Sequence, residues 1–246
     1  MGIELTNVHG FSILGIGFLL GLKHSFDADH LLAVSTIVSE RKSFWSSSFI
    51  GMLWGLGHTA SLLIVGLAVI VFHLQIPEPL GRWMEVFVAL MLTGLGVHVL
   101  WKIHKGATFH LHIHSHHDRV HVHPHFHESS AVHSHNKEHL HHHSVKIGKK
   151  PIIVGMMHGL AGSAGLMLMI LATISSQTLA MLYIGIFGAG SIGGMMLMSM
   201  VIAVPFALTA RYQRLHMIVR TTAGILSVGS GIFLAWHIGI VKGLFL

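Results

Sequence analysis

Long apolar runs separated by short polar breaks set the pattern of this chain. The runs lie near 11–34, 46–72, 84–103, 151–174, 178–204 and 217–240. A hydrocarbon core about 30 Å thick is crossed by about 20 apolar residues in a helix, so the pattern predicts six transmembrane helices. The breaks are Glu40-Arg41-Lys42, Ile76-Pro77-Glu78-Pro79, Ser175-Ser176-Gln177 and Arg211 through Arg214. Residues 1–21 lack a basic start and a small-residue cleavage site, which predicts a retained span rather than a signal peptide. One interruption is long: residues 104–149 separate two three-span units, 1–103 and 150–246.

Composition sharpens this reading. Hydrophobic residues make up 52% of the 246 and charged residues 10%, against about 25% charged in soluble domains. This composition argues against an ordinary soluble enzyme. The 28 Gly and 14 Met suit helices that approach closely. Without cysteine there are no disulfides, zinc ribbons, thiolate sites or Cys nucleophile. The net charge of +6 is read as topology, not as a nucleic-acid partner. Arg41, Lys42, Lys102, Lys105, Arg119, Lys137, Lys146, Lys149, Lys150, Arg211, Arg214 and Arg220 fall on one side, and Arg82 and Lys242 on the other. Cationic loops stay inside. Both termini are thus expected outside the inner membrane, and the loop in the cytoplasm.

The two halves resemble each other. Gly21-Leu22-Lys23-His24 matches Gly155-Met156-Met157-His158. Trp54-Gly55-Leu56-Gly57-His58 matches Phe187-Gly188-Ala189-Gly190-Ser191. Gly94-x-Gly96 followed by Trp101 matches Gly229-x-Gly231 followed by Trp236. The offsets are 134, 133 and 135 residues. Units with an odd number of spans must be inverted relative to each other, the design of transporters that alternate access around a midplane site. The expected fold class is all-α integral membrane, six helices as two inverted three-helix repeats.

Ionisable residues inside a span are costly and mark function by default. The first span contains Lys23-His24-Ser25-Phe26-Asp27-Ala28-Asp29-His30. On a regular helix His24, Asp27 and His30 share an arc of about 120°. Two imidazoles and a carboxylate form a partial shell for a divalent transition metal. Asp29 falls off that face; it supports the ligands or contacts another helix if the helix is regular, and joins the site if it is locally unwound. Lys23 sits on the ligand face, where it would neutralise Asp27 in the empty site. His58 is a candidate third imidazole, and His158, the repeat mate of His24, a ligand or gate. His73, His98, His216 and His237 read as interfacial. The competing structural reading of the cluster is a buried ion-pair group that holds helices together. The run Met195–Met200 reads as core filler, with a copper(I) path the weaker alternative.

His24, Asp29 and His30 form an H-x4-D-H pattern within Lys23–His30, which resembles the signature R-H-A-x-D-A-D-H of the nickel/cobalt transporter family. Leu56-Gly57-His58-Thr59 is similar to that family's L-G-H-S motif. The resemblance covers mainly the first 70 residues and implies that His24, Asp27, Asp29, His30 and His58 handle the metal. The second half lacks the family's Asp, Thr and Glu motifs. Its stretches His158–Gly165 and Gly188–Gly194 look more like the six-span urease-accessory nickel permeases. The His-rich insert is similar to that of nickel/cobalt efflux members.

That insert carries 16 of the 25 histidines between His104 and His143. Its His alternates with Val, Phe, Ser and Asp without a fixed repeat and without the apolar residues for a core. It reads as a cytoplasmic metal buffer with many modest sites. The function expected is secondary transport of nickel or cobalt, with uptake driven by membrane potential. Proton-coupled efflux is the alternative, and a membrane metal sensor or store is another. Enzyme activity is not expected: H-E-x-x-H is absent, and so is the phosphate loop of an ATPase. No resident cofactor is expected. The partners are Ni2+ or Co2+ as cargo (Zn2+ by the same chemistry), the lipid bilayer, and a cytoplasmic metallochaperone as candidate recipient.

Overall fold

The computed structural model describes residues 8–39, 43–72, 77–105, 109–116, 119–126, 149–161, 174 and 176–244. Seven α-helices occur among these: α1 (Val8–His24), α2 (Ala28–Val38), α3 (Phe44–Phe72), α4 (Glu78–His104), α5 (Lys150–Ala161), α6 (Gln177–Thr209) and α7 (Gln213–Trp236). A π-helical turn, His237–Val241, continues α7. By length and composition, four helices can cross a membrane: α3, α4, α6, and α7 with its π turn.

Local chemistry sets several boundaries. Pro77 and Pro79 begin α4, where the first turn needs no proline N–H. Ser176 caps α6, its hydroxyl accepting from the Leu179 N–H at 3.4 Å. The π turn ends near the start of α4: Arg82 donates to the Lys242 carbonyl at 2.5 Å, and Lys242 pairs with Glu85 at 2.6 Å.

One expectation is corrected. The first span is not one helix. The Phe26 and Asp27 amides bond three residues back, to Lys23 and His24, so the chain tightens and leaves the helix. Asp27 then takes an extended backbone (φ −64°, ψ 148°) at the N-cap of α2. The insert contributes two short strands. Antiparallel strands β1 (Phe109–His116) and β2 (Arg119–Phe126) pair within it. The rest of the insert, His73, and the second half of the expected fourth span, including Gly162 and Ser163, lie outside the described residues.

Helix α3 packs against α5 and α6, α1 against α6, and α4 against α7; α2 touches α4, α6 and α7. Glycines make these crossings close. A Cβ on Gly21 would fall on the Phe187 carbonyl, and one on Gly155 on the Trp54 carbonyl. Likewise Gly57 meets the Ile152 carbonyl and Gly190 that of Phe18. Between α4 and α7, Gly96 meets the Gly224 carbonyl and Gly231 that of Ala89. One hydrophobic core joins Ala33, Val34 and Val38 of α2 to Trp54, Val88, Leu92, Met195, Met198, Ala203, Phe206 and Ala223. Met195 and Met198 are thus core residues, as the filler reading requires. Arg220, grouped by sequence with the surface cations, is buried.

Candidate metal centre

The α1–α2 break sets the geometry. His24 ends α1, Asp29 and His30 lie in the first turn of α2, and His58 and His158 come from α3 and α5. The crossings just described hold these helices together. Gly159 lies against the His58 backbone, bringing the His158 turn onto the His58 turn. On the other side Ser25 donates to the Ser191 carbonyl at 2.9 Å and Ser191 to the Gly21 carbonyl at 3.2 Å, tying the break to α6.

Four imidazoles gather here. His30, His58 and His158 are fully buried, and His24 is nearly so. The His30 ring centroid lies 4.6 Å from that of His24, 5.3 Å from that of His58 and 4.1 Å from that of His158. The His24 and His58 rings stack at 5.3 Å. Two aromatic walls enclose the group. Phe187 stacks on His24 at 6.0 Å and Trp54 on His30 at 5.6 Å, with Trp54 also 5.7 Å from His158.

Asp29 organises the rings. One carboxylate oxygen accepts from the His30 Nδ1 at 3.0 Å and from the His30 backbone N–H at 3.0 Å. The other accepts from His158 Nε2 at 2.8 Å. A negative side chain in the first turn of α2 also complements the helix dipole. An ionised carboxylate only accepts, so both rings donate to it, and each neutral ring keeps a lone pair on its other nitrogen. Asp27 does the same for His24, pairing with its Nδ1 at 2.8 Å. The nitrogens left over, His24 Nε2, His30 Nε2 and His158 Nδ1, are buried and have no hydrogen-bond partner among the described residues. Buried acceptors left this way cost about 1–3 kcal/mol each, and a cation is the partner that basic nitrogens suit best.

Two ligand groups result, sharing His30. His24, His30 and His58 each offer a ligand atom within 4.8 Å of the others, and so do Asp29, His30 and His158. Imidazole nitrogens about 2.1 Å from an ion are at most about 4.2 Å apart, so small ring rotations close either group on a metal. Imidazole with carboxylate suits nickel, cobalt and zinc.

Against the sequence expectations, the structure brings His24, Asp29, His30, His58 and His158 together and places Asp27 at the edge on His24, its side chain half exposed. Asp29 joins the group because the helix is unwound, the second of the two placements foreseen for it. Lys23 is exposed and does not sit on the ligand face; His24, rather than Lys23, pairs with Asp27. Trp54 and Phe187 were not expected at the site. Their signal was present, since they head the matched segments Trp54–His58 and Phe187–Ser191. Of the histidines read as interfacial, His216 hydrogen-bonds Thr209 at 3.2 Å and His237 stacks on Phe233.

Comparison with known proteins bears on identity. The chain is 35% identical over 247 aligned positions to the urease accessory protein UreH of Bacillus sp. (strain TB-90), covering 98% of each chain. The chain belongs to the UreH family of urease accessory proteins. The match extends over both halves and the insert, well beyond the first 70 residues that carried the motif resemblance. The relative is named as an accessory to urease and not as the enzyme itself. No protein-family model matches the chain. No solved structure matches it.

Proposed function

We propose that this protein is a secondary transporter that moves nickel, or cobalt, inward across the cytoplasmic membrane through the centre built on Asp29. The observation that carries this reading is that imidazoles from both halves converge at a helix break. His24, His30 and His58 come from the first half and His158 from the second. Broken helices with exposed ends are where transporters bind ions. The relative's name attaches it to urease, and the resemblance to nickel permeases supplies the ion.

In this proposal six spans form two inverted repeats. The glycine crossings support it, because they exchange under the sequence alignment. Gly21 on Phe187 becomes Gly155 on Trp54, Gly57 on Ile152 becomes Gly190 on Phe18, and Gly96 on Gly224 becomes Gly231 on Ala89. Rocking one half against the other would part His158 from Asp29 and open His30 to one side, then the other. Both termini lie outside and the insert in the cytoplasm, on the strength of the cation count. Two positive charges moving inward gain about 4.6 kcal/mol per 100 mV, enough for more than about thousandfold accumulation with no ATPase.

The test is nickel flux in proteoliposomes of known orientation, with an inside-negative potential and with or without a pH gradient. Potential-driven uptake, lost in His30→Ala, is expected. Flux that instead needs an opposing proton gradient would make the protein an exporter. Metal binding without flux in any condition would reduce it to a store.

A further inference from the structure

The two ligand groups of the centre overlap at a single side chain. One is His24, His30 and His58, the other Asp29, His30 and His158, each with its ligand atoms within 4.8 Å of one another. Only His30 belongs to both. The groups do not merge among the described residues. The His58 and His158 ring centroids are 6.1 Å apart, whereas His30 lies 5.3 Å from the first and 4.1 Å from the second. The groups also differ in origin. The first draws on α1, α2 and α3, all in the first half of the chain, and the second reaches across to α5.

Elementary chemistry limits how the two can be filled. A neutral imidazole has one lone pair, its other nitrogen carrying the proton. The Nδ1 of His30 lies 3.0 Å from an Asp29 oxygen, which keeps the proton on that side. To serve two ions at once, His30 would have to lose its last N–H. Two dications a few ångström apart would also repel each other strongly, and Asp29 is the one carboxylate in the two groups.

We propose that the centre holds one divalent ion at a time in either of two adjacent positions, and that the ion passes between them by exchanging His24 and His58 for Asp29 and His158. His30 is the ligand common to both. A ligand kept through the exchange means that the ion is never released bare into an apolar interior, where an isolated charge is very costly. The relay rests on the transport reading above. Within it, a step from the first position to the second moves the ion from ligands of one half to ligands shared by both, where a change in their packing can act on it.

The test uses the full chain purified in detergent, nickel as titrant and His30→Ala as the blank, because that variant lacks both positions and keeps every histidine of the insert. Above the blank, the native chain should bind one equivalent. His158→Ala should retain one equivalent, and so should His24→Ala combined with His58→Ala. Mutually exclusive positions add by mass action, so the two variants' association constants should sum to the native one, and the tighter variant should keep about half of it or more. A single site built from all five residues would instead lose about tenfold or more in both, since even a group that only orients a ligand is worth about 10–100-fold. Cobalt absorption should differ between the two variants, one offering three nitrogens and the other two nitrogens and an oxygen. Leu in place of Ala repeats the titrations with the space filled, and melting temperatures check folding. In proteoliposomes both variants should bind nickel without moving it. Two equivalents in the native chain, a tenfold loss in both variants, identical cobalt spectra, or native flux in either variant would overturn the relay. Absence of flux in the native chain would defeat the transport reading by itself, while the titrations would still decide whether two positions exist.

Discussion

Asp29 and His158 are 129 positions apart in sequence, and their side chains meet at 2.8 Å. This contact joins the metal-motif half of the chain to a half that has no carboxylate in its corresponding helix. Through it one acidic residue orients two rings, His30 and His158.

Asp29→Asn should lower nickel affinity by about 10–100-fold, the usual cost of removing a group that orients a metal ligand. The amide has one oxygen to accept with, and its NH2 opposes whichever ring it faces. Isothermal titration of the purified variant checks this. Wild-type affinity would mean that Asp29 does not set the ring tautomers.

Replacing His30 and His158 singly and together should give strongly non-additive losses. Both act through one carboxylate, and coupling of about 0.5–3 kcal/mol is typical of residues sharing a network. Binding measured across the double-mutant cycle decides it. Strict additivity would argue for two independent sites.

Gly21→Ala and Gly155→Ala should each destabilise the protein by about 1–3 kcal/mol, as overpacking does. The new Cβ meets a backbone carbonyl that cannot step aside. Gly15→Ala and Gly193→Ala face open space and should be neutral. Thermal unfolding in detergent compares the four, and equal melting temperatures would sink the packing argument.

Lys23→Ala should leave transport essentially unchanged, within about 0.5 kcal/mol, as for an ordinary exposed position. Side-by-side uptake assays with Asp27→Ala test this, since Asp27 holds His24 and its loss should be felt. A dead Lys23 variant would restore the neutralising role that the sequence suggested.

Deleting residues 107–145 should leave the helices folded and transport at saturating metal intact. The strands of the insert pair with each other, and the centre lies wholly in α1, α2, α3 and α5. Bound metal per protein should fall. Complete loss of flux in a folded variant would place the insert in the permeation path.

Hydropathy alone was enough to read α3, α4, α6 and α7 as long apolar helices, because a segment that faces lipid must be apolar over its whole length. The ionisable run from Lys23 to His30, and His58 and His158, stood out for the same reason: polar groups are rare at that depth and so are visible one by one. The matched spacing of glycines in the two halves was also legible, since a close helix crossing calls for a small residue. Periodicity could not show that the first span breaks after His24. It assumes a regular helix, and the break rests on Asp27 committing its side chain to His24 and its backbone to the N-cap of α2. Which of two acidic residues would bridge the rings followed from that break. Regular geometry favoured Asp27; the unwound chain turned Asp29 inward to meet His158 from α5, a partner that only the packing of Gly57, Gly155 and Gly159 against neighbouring backbone brings within reach. The histidines of the insert were countable in sequence, but their pairing across two strands depends on register, and register is a property of the paired chain.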